Sequence, residues 1–408
     1  MRAHPSCMLS ADSMTLDSLR IRSFRAHKHT EVEFAPKVNV LVGANGVGKT
    51  NTLEAIHYLC LTKSFVASND TYAVRQEAPY FEIEGTFAGV RSRPMTAKLV
   101  YVPHEGKQAF INDAPLDRLA DIVGQLPVVV FSPEDHALTA EGPDERRRFL
   151  NNILSQAHPA YMNTLMKYRR ARKQRNELLR QYRKKPSPPP DALLAPWTEK
   201  LVQLGSQVVA RRQTFLHTFT GYLQDAYTRI EAVAEEPTIE YDTITVLPTN
   251  TEGDASDIAE AFRERLGEKQ AHEYKRGTTL VGPQRDELIF RLNDLEVRRY
   301  ASQGQHRTFA MALKLAQYFY LSDTLERYPL LLLDDAFGKL DTERTDVFMQ
   351  LLQSDDIGQS FITATRAAPF TTTVPFEKDM HRLFQVDTKN DAARVRIAPS
   401  HAGAESSV

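Results

Sequence analysis

Cysteine is almost absent from this sequence, which has only Cys7 and Cys60 among its 408 residues. Because one of the two lies in a loose N-terminal extension, neither a disulfide framework nor a zinc site is suggested. The sequence also lacks any apolar run that approaches the roughly 18 residues of a membrane-spanning helix. Its first residues lack the apolar core of a signal peptide. We therefore expect a cytoplasmic location and no membrane partner.

Net charge is also nearly absent, since 51 Lys and Arg residues are balanced by 52 Asp and Glu residues. The formal net charge of −1 gives no general attraction for nucleic acid, so any such binding must depend on local basic patches. A hydrophobic content of 42% and a charged content of 25% are typical of a globular protein. The length allows one large domain or roughly two to three smaller ones.

A phosphate-binding loop is the clearest motif that the sequence does contain. Residues 43–50, GANGVGKT, match Gly-x-x-x-x-Gly-Lys-Ser/Thr in full. The glycines let successive backbone N–H groups face phosphate oxygens, Lys49 is expected to reach the β- and γ-phosphates, and the Thr50 hydroxyl is expected to bind Mg²⁺. The predicted nucleotide-binding residues are Gly43, Ala44, Asn45, Gly46, Val47, Gly48, Lys49, Thr50 and Asn51.

The sequence around this loop favours a nucleotide site over an ordinary glycine-rich turn. The β-rich run VNVLV precedes Gly43 and predicts a buried parallel strand. Leu53, Ile56 and Leu59 follow at helical spacing. A strand, a glycine loop and a helix in this order would place phosphates at a helix N-terminus.

Two aspartates near the other end of the chain are candidates for the second half of the site. In YPLLLLDDAFGKLD, residues 328–341, four leucines predict a buried strand that ends at Asp334 and Asp335. Ligands of parallel sheets bind at that edge. We predict that Asp334 binds Mg²⁺ and that Asp335, acting with Lys49, orients or deprotonates the attacking water. The alternative is that the aspartates only cap the next helix.

A polar turn followed by an amphipathic helix distinguishes this chain from simple kinases and small GTPases. Residues 301–321, ASQGQHRTFAMALKLAQYFYL, contain a Ser-x-Gly-Gln turn about 30 residues before the two aspartates. The order of phosphate loop, long insertion, Ser-x-Gly-Gln turn and acidic strand end resembles the ABC-type ATPases. In that class the turn completes the nucleotide site of a second subunit. The resemblance thus implies ATP and Mg²⁺ as cofactors and an ATP-dependent homodimer, with these residues contacting the nucleotide: Ser302, Gly304, Gln305 and Asp341.

Four further stretches, FSPED…RRRFL, GPQRDEL, ASQGQ and LLLLDDAF, together resemble the RecF family of bacterial recombination and repair ATPases. The resemblance runs from about Met14 to about Thr365. It implies ATP-dependent binding to gapped or junction DNA without sequence specificity, and help to RecA loading together with RecO and RecR. Slow ATP hydrolysis, dependent on the dimer, would then reset the protein.

Three positions depart from the pattern of that family. Gln284 stands where the family usually has His, and Val66 stands where a basic residue is usual. Gly338 replaces a serine, so it cannot donate the hydroxyl contact that serine could make across a dimer. The roles that the resemblance gives to these positions are therefore not carried over.

The resemblance implies an α/β fold: an ABC-type P-loop ATPase head with a mixed sheet and helices (lobe I), plus a mainly helical lobe II with a short antiparallel helical arm. Two helices of roughly 35 to 45 residues each are predicted around the proline-rich break at 184–190, far too short for the arm of an SMC protein. The predicted segments are 1–13, a flexible extension; 14–127, the first part of lobe I; 128–275, helical lobe II; 276–390, the second part of the ATPase core; and 391–408, a disordered tail.

A basic run at residues 167–185 carries ten Lys or Arg residues against one acid. It is either a solvated helix face or a surface that contacts DNA phosphates. No helix-turn-helix, zinc-finger or RNP motif accompanies it, so recognition of phosphates and DNA shape is expected.

Two other functions are weighed against ATP-switched DNA binding. A nucleotide-binding subunit of a membrane transporter would share the phosphate loop, but the helical insertion is too long and too basic for membrane docking. A scaffold that merely holds nucleotide would not need two acids at a strand end.

Overall fold

The computed structural model describes residues 14–90, 93–185, 187–231, 235–244, 255–336, 342–367, 377 and 379–398. The chain divides into two compact units, one within residues 1–134 and 321–408 and the other within residues 135–320. The predicted ATPase segment 276–390 is therefore split, since its residues 276–320 belong to the same unit as the long helices. The predicted extension 1–13 lies outside the described residues.

The strands are β1 Thr15–Phe24, β2 His27–Glu33, β3 Val38–Val42, β4 Phe81–Ala88, β5 Met95–Val102, β6 Gly106–Ile111, β7 Ala114–Pro115, β8 Val128–Phe131, β9 Pro237–Asp242, β10 Glu287–Leu292, β11 Leu295–Glu296, β12 Leu330–Asp334, β13 Ser360–Ala364, β14 His381–Lys389 and β15 Ala392–Ile397. The α-helices are α1 Lys49–Leu61, α2 His136–Ala140, α3 Pro143–Ala157, α4 Pro159–Tyr182, α5 Asp191–Ile230, α6 Ala255–Arg276, α7 Val297–Tyr300, α8 Gln303–Leu325 and α9 Thr342–Gln353. Short 3₁₀ helices span Asp70–Ala73, Leu119–Ile122 and Pro133–Asp135.

The first unit contains two six-stranded sheets with α1 between them. One sheet is antiparallel, in the order β2-β1-β4-β5-β6-β7. The other has the order β15-β14-β3-β13-β12-β8, with β15 antiparallel at one edge and the other five strands parallel. Helix α1 contacts strands of both sheets, so it is buried on nearly all sides. This explains why its sequence is apolar around the whole helix rather than along one stripe.

The parallel sheet confirms the strands predicted from their apolar runs. VNVLV forms β3 and LLLLD forms β12, and every residue of both strands is buried. Strands covered on both faces read as continuous apolar runs rather than alternating ones. The stretch LRIRSFRAHKHTEVEF forms the two antiparallel strands β1 and β2, as predicted.

The predicted disordered tail at 391–408 is wrong for residues 392–397, which form β15 and pair with β14. The two strands are joined by Asn390 and Asp391, whose φ angles are 51° and 55°. Positive φ at both turn residues is the requirement of a tight type I′ hairpin, and Asn and Asp tolerate it best after glycine. Residues 399–408 lie outside the described part of the chain.

The second unit is mainly helical, with a small antiparallel sheet in the order β11-β10-β9. Helices α4 and α5 are antiparallel, since Arg175 Nε donates to Thr198 Oγ1 at 3.0 Å and Arg212 Nε donates to the Tyr161 hydroxyl at 3.1 Å. Helix α5 has 40 residues and agrees with the predicted length. Helix α4 has only 24, because Pro159 starts a new helix after the break at His158.

Candidate nucleotide site

The phosphate loop connects the buried strand β3 to the N-terminus of α1, as its sequence predicts. Gly46 and Gly48 have φ angles of 82° and 105°, which disfavour any residue with a Cβ. A Cβ on Gly43 would lie 2.2 Å from the Val386 carbonyl oxygen of β14, so only glycine fits there. Ala44, Asn45 and Gly46 are exposed, whereas Val47 and Asn51 are partly buried.

The N-terminus of α1 offers free backbone N–H groups. Gly48 is its cap residue, no side chain caps it, and its first turn contains no acidic residue. The first N–H groups of a helix have no partner inside the helix, and they carry the positive end of its dipole. The loop is thus suited to hold an anion such as phosphate.

His27 supports the phosphate loop from beneath and was missed by the sequence analysis. It is fully buried in β2, with Nε2 3.2 Å from the Gly48 carbonyl oxygen and Nδ1 2.9 Å from Thr30 Oγ1. Burial lowers the pKa of His27 to about 4, and the Arg75 cation also lowers it. The neutral ring therefore donates from Nε2 to Gly48 and accepts the Thr30 hydroxyl at Nδ1. A single histidine in a short polar strand gives no sequence signal of this role.

Thr50 and Asp334, both predicted as metal ligands, are brought together by the fold. Thr50 Oγ1 donates to Asp334 Oδ1 at 2.8 Å, and Thr363 Oγ1 at the end of β13 donates to the same oxygen at 2.8 Å. Burial raises the pKa of Asp334, and the two hydroxyl donors oppose that shift. Thr363 was not predicted, although a threonine at the end of an apolar strand was the available signal.

The oxygen set of Thr50 and Asp334 fits Mg²⁺. Both are hard oxygen ligands, and Asp334 Oδ2 accepts no hydrogen bond from the described residues. Mg²⁺ usually takes one or two protein oxygens and completes its shell with water and substrate phosphate. Within the described ranges, no group of three or more His, Cys, Asp or Glu residues could hold a metal by itself. A protein-only metal cage is thus not what this part of the chain provides.

Lys49 and Asp335, the predicted catalytic pair, lie at the same end of the parallel sheet. Lys49 Nζ donates to the carbonyl oxygens of Gly43 and Ala44, each at 2.8 Å. Burial lowers the pKa of Lys49, while Asp335 and Asp334 raise it. Asp335 is exposed, has a φ of 47°, and its backbone N–H donates to Thr363 Oγ1 at 2.9 Å.

The alternative reading of the two aspartates as helix caps is not supported in the described chain. Asp334 is the last residue of β12, and its recorded donors are two threonine hydroxyls rather than helix N–H groups. Asp335 has no recorded side-chain hydrogen bond to the described residues, and α9 begins only at Thr342. An exposed carboxylate next to a buried one suits two different tasks, water activation and metal binding.

The Ser-x-Gly-Gln turn forms a capping box at the start of α8. The Gln305 backbone N–H donates to Ser302 Oγ at 3.2 Å, and the Ser302 backbone N–H donates to Gln305 Oε1 at 2.8 Å. Gln305 Nε2 also donates to Glu235 Oε1 at 2.7 Å. Ser302, Gly304 and Gln305 belong to the second unit, whereas the phosphate loop belongs to the first.

Three remaining predicted positions have different outcomes. Asp341 and Gly338 lie outside the described residues. Val66 is 56% exposed in the segment after α1, so it is available to solvent although it is not basic. None of the helices that the structure describes combines the length and the apolar character needed to cross a bilayer.

Known proteins similar to this chain agree with the site. The family model described as RecF/RecN/SMC N terminal domain matches residues 15–391. The DNA replication and repair protein RecF of Salinibacter ruber is 65% identical, covering 96% of this chain and 95% of that protein. The RecF protein of Chloroherpeton thalassium is 42% identical, covering 88% of this chain and 96% of that protein.

Solved structures extend the likeness to the fold. A structure of the recombination mediator protein RecF with ATP, from the RecFOR pathway, has a TM-score of 0.86 at 28% identity, covering 97% of this chain and 100% of that chain. An Smc head domain from Pyrococcus furiosus has a TM-score of 0.54 at 13% identity, a likeness of fold alone. These matches confirm the predicted α/β fold class of an ATPase head. The chain belongs to the RecF/RecN/SMC family and, within it, to the RecF proteins of DNA replication and repair.

Proposed function

We propose that the protein uses ATP to control its binding to DNA during replication and recombinational repair. The observation that carries this proposal is the hydrogen bond between Thr50 and Asp334, which joins the phosphate loop to the acidic end of β12 within a RecF fold. Lys49 and the N–H groups at the start of α1 would hold the phosphates of ATP. Thr50 and Asp334 would hold Mg²⁺, which neutralises phosphate charge when bound. The exposed Asp335 carboxylate would orient water and accept its proton.

The same proposal gives the Ser-x-Gly-Gln turn a role across a homodimer. A Cβ on Gly304 would meet only Ser302 Oγ, at 3.8 Å, among the described residues outside its sequence neighbours and its own helix backbone. Its φ is not positive, so the described fold of the protomer does not require glycine there. A close approach from outside the protomer, such as ATP bound by a second copy, does explain the glycine. Hydrolysis would then be slow, because each site is complete only in the dimer.

A complementation experiment tests the shared site. Ser302→Arg and Lys49→Ala should each abolish ATP-dependent dimerisation and ATP hydrolysis. In a mixture of the two, a mixed dimer pairs the intact loop of one variant with the intact turn of the other. If the sites act independently, about a quarter of the wild-type rate should return, since half of the dimers are mixed and each has one working site. A mixture as inactive as its components, or a Ser302→Arg variant that works like wild type, contradicts the shared site.

The proposed DNA target is a gap or a junction between single and double strands, bound without sequence specificity, with RecO and RecR as partners and RecA loading as the outcome. This rests on family membership, since a similar solved structure is of a recombination mediator in the RecFOR pathway. The test compares the affinity for gapped duplex, single strand and blunt duplex, each with and without ATP. Equal affinity for all three, unchanged by ATP, would contradict the proposal.

The two competing functions make different predictions. A transporter subunit is not favoured, because the similar proteins are DNA replication and repair proteins. A scaffold that only holds nucleotide predicts that Asp335→Asn leaves both ATP turnover and DNA release unchanged. Our proposal predicts that this variant binds ATP and DNA but releases DNA slowly.

A further inference from the structure

The second unit contains a cavity of about 480 Å³ that the proposed nucleotide site does not use. Helices α3, α4 and α5 and the segment 278–285 line it. Its only lining carboxylate is Asp144. Its lining arginines are Arg147, Arg148, Arg169, Arg172, Arg212 and Arg285.

Three of these six arginines are already paired. Arg212 is buried and donates to Asp286 Oδ2 at 2.5 Å. Arg147 donates to Asp144 Oδ1 at 2.6 Å, and Arg148 forms an ion pair with Glu145. These three guanidinium groups have protein acceptors, so they are not the ones that need a ligand.

The other three arginines, Arg169, Arg172 and Arg285, have no hydrogen bond or ion pair with any residue that the structure describes. Desolvation lowers the pKa of Arg169, and the Arg172 and Arg212 cations lower it further. Like charges that share a recess repel one another unless an anion compensates them. Guanidinium groups match the oxygens of phosphate well, because they donate in pairs from one plane.

The wall that carries Arg285 is held in place by the GPQRDEL motif, whose function the nucleotide site does not explain. Gly282 has a φ of 127°, and a Cβ there would lie 2.4 Å from the Tyr168 hydroxyl oxygen. The Asp286 carboxylate accepts hydrogen bonds from Arg212, from Tyr241 and, at 2.7 Å, from Thr243. Because these contacts order the segment before any ligand arrives, binding loses less conformational freedom.

We propose that this cavity holds a backbone phosphate of bound DNA, with Arg169, Arg172 and Arg285 donating to its oxygens; the proposal rests on the proposed DNA-binding function. A nucleic acid strand fits better than a small free anion. The exposed Lys167, Arg170 and Lys173 continue the positive charge along α4 outside the cavity. A polyanion would contact both the cavity and this helix face.

The test compares two double variants of α4 with the same change in charge. Arg169→Gln with Arg172→Gln removes two cavity cations, whereas Arg170→Gln with Lys173→Gln removes two cations that do not line the cavity. Neither pair has a recorded hydrogen bond or ion pair with the described residues, so both variants should fold, which thermal unfolding followed by circular dichroism checks. Arg285→Gln tests the opposite wall with a single change. DNA affinity is measured for each variant over a range of salt concentrations.

The cavity double variant should lose at least about tenfold in DNA affinity, and its salt dependence should fall by about 0.7 to 0.9 per lost phosphate contact. The control double variant should lose less than about threefold, and Arg285→Gln should lie between them. Equal losses in the two doubles, or none in either, would overturn the cavity proposal while DNA binding itself stands. If inorganic phosphate binds to wild type but not to the cavity variant, and all variants bind DNA alike, the cavity is a free-anion site and the proposal is wrong. A wild-type chain that does not bind DNA would instead refute the proposed function.

Discussion

Replacing His27 by glutamine should make the stability of the protein less sensitive to acid. His27 is buried beneath the phosphate loop, and its pKa in the folded chain is about 4, below its ordinary value of 6.5. The folded state therefore prefers the neutral ring, whereas the unfolded state accepts a proton below about pH 6.5. The contribution of His27 is fully present above that pH and is lost as the pH falls toward 4.

The size of the effect follows from the two pKa values. A difference of about 2.5 pKa units corresponds to about 3 kcal/mol when the loss is complete, below pH 4. At pH 5 the protonation equilibria give a loss of about 2 kcal/mol, and at pH 7 almost none. For a protein with a few kcal/mol of total stability this is a large fraction.

Denaturant unfolding followed by circular dichroism at pH 7, 6 and 5 measures the effect. His27→Gln keeps an amide donor for the Gly48 carbonyl, so it should fold, with lower stability at pH 7 but about 2 kcal/mol less loss between pH 7 and pH 5 than wild type. His29→Gln is the matched control, because His29 lies exposed in the same strand. If the two variants and wild type lose equal stability between pH 7 and pH 5, His27 is not held neutral by the fold.

Three further substitutions separate catalysis, assembly and folding. Asp335→Asn should reduce the ATP turnover number by about 10²–10⁴-fold with ATP binding retained, as expected for loss of a general base; unchanged turnover would refute that role. Gly304→Ala should keep the melting temperature, because space surrounds that position, but weaken ATP-dependent dimerisation, whereas Gly282→Ala should destabilise folding by about 1 kcal/mol or more, because its φ is 127° and the Tyr168 hydroxyl is close. A similar fall in melting temperature for both glycine variants would contradict this distinction. Thr363→Val should lower ATP turnover without unfolding the chain, because it removes a donor to Asp334 and an acceptor for the Asp335 N–H; wild-type turnover would show that these two hydrogen bonds are dispensable.

The sequence predicted the parts of the fold that are encoded locally. VNVLV and LLLLD have the uniform apolar character of strands buried on both faces, and the phosphate loop carries its own glycine spacing. The Ser-x-Gly-Gln turn likewise contains both members of its capping box, three residues apart. For such segments the physical cause lies within about ten residues, so a reader of the sequence can find it.

The contacts that the sequence did not predict join distant parts of the chain. His27 reaches Gly48 from another strand, and Thr363 reaches Asp334 from the neighbouring one. No periodicity signals such pairs, because each partner alone is an unremarkable polar residue. The tail prediction failed for a related reason: the polar residues 392–397 become ordered only because β14 offers a paired edge and Asn390 and Asp391 form the turn.

Gln284 shows how the structure can resolve a departure from a family pattern. Its Oε1 accepts a hydrogen bond from the Tyr168 hydroxyl, and its Nε2 donates to the Val281 carbonyl oxygen at 3.0 Å. A neutral histidine also offers one ring N–H donor and one ring nitrogen acceptor, so it could serve the same two partners. The position therefore requires a side chain that donates on one side and accepts on the other, rather than a titratable ring. Gln284→Leu should break both contacts and loosen the wall of the arginine-lined cavity, whereas Gln284→His should preserve DNA binding near the wild-type level.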